Sequence, residues 1–308
     1  MPSQLFVTKA DGEREPLDIA KLERSLERAG AGAALAARIA KRVTDKVADG
    51  IHTDKLYRIA FRALRKQRRH VAARYSLKRA VMQLGPTGYP FEHLVAALLE
   101  MDGWHTQVGV TLQGAVPHEI DVVADYAERA EARRLLVECK HRSAGDAKCD
   151  VKTALYVSAR ARDLLGDLHN NPNQFWLATN GRFTQDAIAF AKSVNLGLLG
   201  WDWPQRAQVP DPNTDAGEKL PQPELHLPVR SLSERITDAL AFPVTCLTTL
   251  KQRHKAQLLN ERVVLCRELE AKPELLNKLR LSPAQLTELR RELFDLLHPL
   301  SLDADAEA

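Results

Sequence analysis

The sequence predicts a multi-domain α+β protein, and three observations carry that expectation. A short apolar run followed by amphipathic helices fills residues 1 to 84. A helix, three strands, a helix, a strand, a helix and a last strand follow to about residue 204. Helices resume after a proline-rich stretch. At 308 residues the chain is long enough for two or three domains with their own cores. Charged residues make up 27% and apolar residues 44%, which excludes wholesale disorder.

The first segment opens on the strand-like "QLFVTKADG" with a turn at Asp11-Gly12. Asp18 is placed to cap a helix carrying Ile19, Leu22, Leu26 and Ala29 on one stripe. Leu35, Ile39, Val43 and Val47 mark a second helix. Thr53 caps a third, with Leu56, Ile59, Ala60 and Leu64 facing in, and a fourth runs from about Arg69 to Leu84. "GPTGYP" then breaks the pattern, so 1–84 and 85–204 read as separate domains.

In the second segment Phe91, Leu94, Val95, Leu98 and Leu99 mark an amphipathic helix. The strand-like runs "HTQVGVTL", "HEIDVVADY" and "RLLVECKH" follow it. After a helix from about Lys152 to Leu165 come the strand "QFWLATN", the helix "TQDAIAFAKSV" and the strand "LGLLGWDW". This order predicts a mixed sheet. Residues 205–230 read as a Pro-rich linker, 231–300 as a helical domain with a capping box at Ser282 and Gln285, and 301–308 as an acidic tail.

Four cysteines without any CxxC pair argue against a zinc ribbon or disulfide framework and fit a reduced, cytoplasmic protein. No run approaches the roughly 20 apolar residues that span a bilayer, and the N-terminus lacks a signal-peptide apolar core. The net charge of +4 permits a nucleic-acid partner without requiring one.

"RLLVECKH" is the most informative stretch. Alternation puts Leu136, Glu138 and Lys140 on one face and Leu135, Val137 and Cys139 on the other. Unlike charges on a sheet built for a core cost several kcal/mol unless they are paired or hold a metal. Asp121 lies 17 positions earlier, on the preceding strand-like run, with about seven residues, "AERAEAR", as the connecting loop. Pairing of the two strands brings Asp121, Glu138 and Lys140 to one face. A hard divalent cation, most naturally Mg²⁺, relieves the repulsion between the carboxylates. Such a cation polarises a phosphate and lowers the pKa of a bound water, and Lys140 beside it is placed to stabilise charge developing in phosphodiester cleavage. The bland alternative is an inert ion pair on an edge strand.

Asp, a spacer, then Glu-x-Lys on adjacent strands resembles the PD-(D/E)xK nucleases, and "TGYPFEHLVAALLEMDGWHTQVGV" looks like the first helix and strand of Mrr-type restriction endonucleases. The resemblance covers about residues 88–203 and implies a restriction-endonuclease-like α/β sheet and a DNA partner. The cofactor it implies is Mg²⁺ or Mn²⁺ on Asp121 and Glu138. Its catalytic set is Asp121, Glu138, Lys140 and the helical Glu92. Two departures stand out. The Pro-Asp of the name is Glu119-Ile120-Asp121 here, and no Gln is assigned in the segment after Lys140. His141, Lys148, Lys152 and Arg160 are candidate phosphate contacts, though each reads more simply as solvated surface.

In the first segment Lys9, Arg14 and Lys21 gather around a tight turn and a helix start, a natural phosphate cradle. The layout of strand, V-x-K-x-D-G, a Glu-Pro step, Lys21 and three more helices is similar to the ATP-cone, a nucleotide-binding regulatory module. The resemblance implies ATP or dATP as a regulatory ligand, with Val7, Lys9, Glu15, Lys21 and Thr53 lining its site. Where the family usually has Arg after the first Lys, this chain has Ala10. No GxxxxGK[ST] loop occurs, so ATP hydrolysis is not expected. The run "RKQRRH", Arg65 to His70, reads either as a DNA-facing patch or as a solvated helix end.

The C-terminal helices resemble a helix-hairpin-helix unit in rhythm only, without its Gly-rich hairpin. Stripes such as Leu275 and Leu279, or Leu286, Leu289 and Leu293, read as core or as a dimer seam, so a homo-oligomer through the ATP-cone or these helices stays open. The reading that results is a Mg²⁺-dependent DNA endonuclease with a nucleotide-sensing module, in defence, restriction or DNA processing. The alternatives are a nucleotide-responsive DNA-binding regulator on an inert nuclease fold, and a structural adaptor.

Overall fold

The computed structural model describes residues 5–9, 12–128, 131–143, 148–166, 173–205 and 228–299. The expected linker over 205–230 lies almost wholly outside the described residues, as do Ala10 and the acidic tail at 301–308. The chain forms two compact units. One comprises residues 1–79, 246–255 and 269–308; the other comprises 80–245 and 256–268. The C-terminal helices are thus divided between the two units.

The first unit begins with β1 (Phe6–Thr8), β2 (Arg14–Pro16), α1 (Ile19–Arg28), α2 (Ala33–Thr44), β3 (Ile51–His52), α3 (Thr53–Gln67) and α4 (Arg69–Tyr75). The strands form a small sheet in the order β2-β1-β3, antiparallel on one side of β1 and parallel on the other. Asp18 caps α1 by accepting the Lys21 N–H at 2.8 Å, as its position predicts. Leu22, Leu26, Ile39, Val43, Ala60, Leu64 and Val71 close one core. Ile19, expected on that stripe, is exposed. Thr53 is the first residue of α3 rather than its cap; His52 holds the cap position and makes no side-chain cap bond. The helix expected over Arg69–Leu84 is broken at Ser76, with α5 (Leu77–Met82) beyond it. The Ser76 side chain donates back to the Ala73 carbonyl at 2.9 Å, the local competition that favours serine at helix ends.

The second unit holds α6 (Tyr89–Met101), β4 (His105–Gln113), β5 (Pro117–Glu128), β6 (Glu131–Lys140), β7 (Lys148–Cys149), α7 (Val151–Leu165), β8 (Gln174–Thr179), β9 (Arg182–Phe183), α8 (Gln185–Ser193), β10 (Gly197–Leu199) and α9 (Leu232–Asp238). Its sheet is mixed, in the order β10-β8-β6-β5-β4. The strands β4, β5 and β6 are antiparallel neighbours, and β6, β8 and β10 run parallel. β8 is buried at every position, as a central strand with covered faces must be. Val157 and Ala161 of α7 and Ile188 of α8 pack with Val123, Leu136 and Phe175 of the sheet. A two-residue parallel pair, β7 with β9, was not foreseen. The "AERAEAR" segment differs from the expected loop: the β5–β6 ladder continues to Ala127↔Ala132 and Glu128↔Glu131.

The remaining helices are α10 (Gln252–Asn260), α11 (Cys266–Ala271) and α12 (Pro283–Leu297). α12 begins with the expected capping box, in which Ser282 and Gln285 bond each other's backbone N–H. Leu279, Leu289 and Leu293 are buried, whereas Leu275 and Leu286 are only partly so. All four cysteines are free and buried.

Candidate nuclease active site

The site is set by where β5 parts from β6. The ladder between them reaches Val122↔Val137, so Asp121 and Glu138 stand one step beyond the last paired residues. On the other flank of β5 the register passes from Val108↔Val122 to Val110↔Ile120, and between them Gly109 takes a left-handed φ of +69°. This local distortion belongs to the backbone around Asp121. The Asp121 carboxylate accepts the Cys139 N–H at 2.6 Å, which spans the opening between the two strands.

Glu138 is only 3% exposed. Lys140 donates to its Oε1 at 2.6 Å, and the Arg160 guanidinium donates to its Oε2. The same guanidinium donates to the Glu119 carbonyl on β5, so one side chain of α7 joins both strands of the site. Burial pushes the Asp121 pKa up to about 6, and repulsion from Glu138 adds to it; the Cys139 N–H, Lys140 and Arg160 oppose the shift. Glu92, in the first turn of α6, is pushed up to about 7 by burial first and then by Asp121, Glu119 and Glu138. Its carboxylate lies against the backbone of Gly88, where a Cβ would come within 2.3 Å of Oε1.

The structure therefore brings Asp121, Glu138, Lys140 and Glu92 into one electrostatic neighbourhood. It corrects the edge-strand alternative, because β6 lies inside the sheet and its Glu138–Lys140 pair is buried on the carboxylate side. It also corrects Arg160, which is 9% exposed and not solvated surface. The signal was in the sequence. Arg160 sits three residues after Val157 and beside Ala161, on the stripe that α7 turns to the core. Of the other phosphate candidates, Lys148 and Lys152 are exposed, while His141 bonds the Val81 carbonyl through Nε2 at 3.0 Å.

The donors suit a hard divalent cation in kind: carboxylate oxygens whose mutual repulsion a cation relieves, with no free sulfur at hand but the buried Cys139 thiol. Among the described residues, no three His, Cys, Asp or Glu are grouped closely enough to hold a metal ion. As folded, Lys140 and Arg160 balance Glu138 instead.

In the first unit Glu15 lies between two lysines. Its Oε2 is 2.9 Å from Lys9 Nζ and its Oε1 is 3.9 Å from Lys21 Nζ. Lys9 also meets Glu13 at 2.9 Å, and these two carboxylates raise its pKa further above the usual lysine range. Val7 is buried and pairs with Glu15 across the β1–β2 ladder. Thr8 pairs with His52, so Lys9 and Thr53 leave parallel neighbouring strands at the same end. Arg14 faces Asp49 instead, at 2.8 Å.

Two regions of the chain match models of known domains, a restriction-endonuclease-like domain and an ATP-cone domain. Residues 85–202 match the family model described as restriction endonuclease, residues 5–82 match the ATP cone domain, and residues 242–297 match the AF1548-like C-terminal domain. An uncharacterized protein of Archaeoglobus fulgidus is 33% identical over 116 residues, which is 37% of this chain and 62% of that protein's length. The crystal structure of AF1548, a protein of unknown function, is 27% identical, covers 68% of this chain and 98% of its own, and superposes with a TM-score of 0.49. The MspJI restriction endonuclease in complex with a 27-mer oligonucleotide is 15% identical, covers 55% of this chain and 30% of its own, and gives a TM-score of 0.27. Among the described residues no helix is long and apolar enough to cross a membrane.

Proposed function

We propose that the second unit is a Mg²⁺- or Mn²⁺-dependent DNA endonuclease and that the first unit binds ATP or dATP to regulate it, in a cytoplasmic defence or DNA-processing role. The observation that carries this reading is the cluster around Glu138: two further carboxylates with raised pKa values and a lysine, within a domain that matches the restriction-endonuclease model. Asp121 and Glu138 would hold the ion, with Glu92 behind them. When bound, such an ion polarises a phosphate and lowers the pKa of its water. Lys140 holds positive charge beside the place where charge develops on the phosphate. Glu92, titrating at about 7, is poised to take up a proton near neutral pH. Arg160 holds the Glu138 carboxylate in place and ties β5 to β6.

One observation favours a second reading. Both oxygens of Glu138 are already engaged by cations, which suits a fold that docks on DNA without cutting it. Incubation of the full chain with Mg²⁺ and plain, methylated and branched DNA separates the two, each substrate tested with and without ATP. Cleavage that disappears in Asp121→Ala and Lys140→Ala supports the nuclease. Binding with no cleavage of any substrate supports the regulator. For the first unit, ATP or dATP raises the melting temperature by mass action, and Lys9→Ala removes that shift.

A further inference from the structure

The run Arg65 to His70 takes no part in either site above, yet it forms one wall of a groove of about 1030 Å³ in the first unit. The end of α3 and the start of α4 supply this wall, and α12 supplies the other. The walls are fastened together: Arg74 donates to the Leu296 carbonyl at 3.2 Å, and His70 Nδ1 lies 3.5 Å from Asp295. Five full cations line the groove against three carboxylates, and the carboxylates are already satisfied. Glu288 pairs with Arg69. Glu292 accepts the Thr248 and Thr249 N–H groups at 2.7 and 2.9 Å, and Asp295 meets His70 and Arg291. Arg65, Lys66 and Arg68 are exposed and, among the described residues, have no ion-pair partner. Basic residues at a helix end complement its dipole, but that role does not require Arg68, which lies past the end of α3, or Arg291 across the groove.

The lining indicates the ligand. Small-molecule sites are mostly apolar with a few polar groups; here the only hydrocarbon side chain is Ala284. No Phe, Tyr or Trp lines the groove and the His70 ring is buried, so bases lack the stacking platform that single-strand binders use. Unpaired guanidinium and ammonium groups along a polar trough suit a row of phosphates. We propose that this groove holds the phosphate backbone of duplex nucleic acid, without reading sequence. The proposal does not rest on the nuclease reading, because a duplex held here need not be cut.

The test uses the full chain and a short fluorescent duplex in EDTA, with affinity measured across a salt series. The triple variant Arg65→Gln, Lys66→Gln, Arg68→Gln is compared with the parent and with Arg58→Gln. Arg58 lies on the same helix but outside the groove and pairs with Asp54 at 2.7 Å. Loss of three phosphate contacts lowers the log–log salt slope by about 2.7 and weakens binding in 0.1 M salt by on the order of 10²-fold. The loss is the same for unrelated sequences, and the control keeps the parent's slope. An unchanged slope in the triple variant overturns the assignment. So does competition by polyglutamate as effective as that by unlabelled duplex, which would make the groove a surface for acidic protein. Because EDTA prevents metal-dependent cleavage, the outcome is separate from whether the second unit cuts DNA.

Discussion

The two clusters that combine lysine and carboxylate respond oppositely to the same chemistry. Around Glu138 the side chains are buried or half-buried, and burial with mutual repulsion pushes Asp121 up to about 6 and Glu92 up to about 7. Around Glu15 they are more open to solvent, with Lys9 36% and Lys21 68% exposed, and there Glu15 and Glu13 hold Lys9 in its charged form. Burial makes the first cluster a place where charge is uncomfortable and a cation or substrate changes the balance. Solvent makes the second a loose set of ion pairs that a polyphosphate can displace at little cost. One cluster stores electrostatic strain, and the other stores almost none.

The largest expected effect breaks the first cluster at its charge. Asp121→Ala or Lys140→Ala lowers Mg²⁺-dependent cleavage by about a thousandfold or more, the scale of a lost metal ligand or transition-state cation. Cleavage assays with matched thermal melts check this. Activity in either variant within about tenfold of the parent would remove this cluster from the chemistry.

The second prediction sharpens the contrast in burial. Arg160→Met leaves Glu138 with Lys140 alone in a site where the carboxylate is 3% exposed, and costs about 3–5 kcal/mol of unfolding free energy in urea. The double variant Arg160→Met, Glu138→Leu costs less than the sum of the two single changes, because the buried carboxylate and its buried guanidinium are removed together. The exposed pair Arg14–Asp49, at 2.8 Å, provides the counterpart: its loss moves the urea midpoint little.

How much of this was legible in the sequence depends on the range of the interaction concerned. Alternation along β6 placed Glu138 and Lys140 on one face, and the capping residues Asp18 and Ser282 announced their helices, because those signals span a few residues. The length of the β5–β6 hairpin was misjudged. The polar "AERAEAR" looks like a loop, while the ladder that carries its backbone onward follows from pairing begun five residues earlier at Val122↔Val137. The partner of Glu138 was missed for a similar reason. Arg160 lies 22 positions away on a helix, and only the packing of α7 on the sheet brings it to the carboxylate. Gly109, opposite Asp121, carried no visible signal either, since a positive φ within a strand cannot be inferred from the residue type alone.

The third prediction concerns pH. Asp121 and Glu92 have folded pKa values above their ordinary ones, so between about pH 4 and pH 7 the native state holds more protons than the unfolded chain. Their contribution to stability is therefore complete below the unfolded values and is lost as pH rises through about 6 and 7. The urea midpoint falls across that window, and Asp121→Asn with Glu92→Gln flattens the fall. Mg²⁺ that binds the ionised pair raises the midpoint more at pH 7 than at pH 5, and EDTA reverses the gain. An equal Mg²⁺ effect at both values would place its binding elsewhere.

The smallest effect is expected at the solvated cluster, and it tests the comparison from the other side. Lys9 is partly exposed and its ion pairs are with Glu15 and Glu13 on the solvated side, so Lys9→Ala leaves the melting temperature of the nucleotide-free protein almost unchanged. On the proposed nucleotide-binding role, the same substitution removes the rise in melting temperature caused by ATP or dATP, Lys9 lying with Thr53 at the shared end of β1 and β3. Glu15→Gln acts in the opposite sense: freeing Lys9 and Lys21 from one carboxylate strengthens nucleotide binding, read as a larger shift at the same ligand concentration. A solvated cluster can thus lose a lysine with no loss of stability, whereas the loss of Arg160 from beside the buried Glu138 carries an unfolding cost.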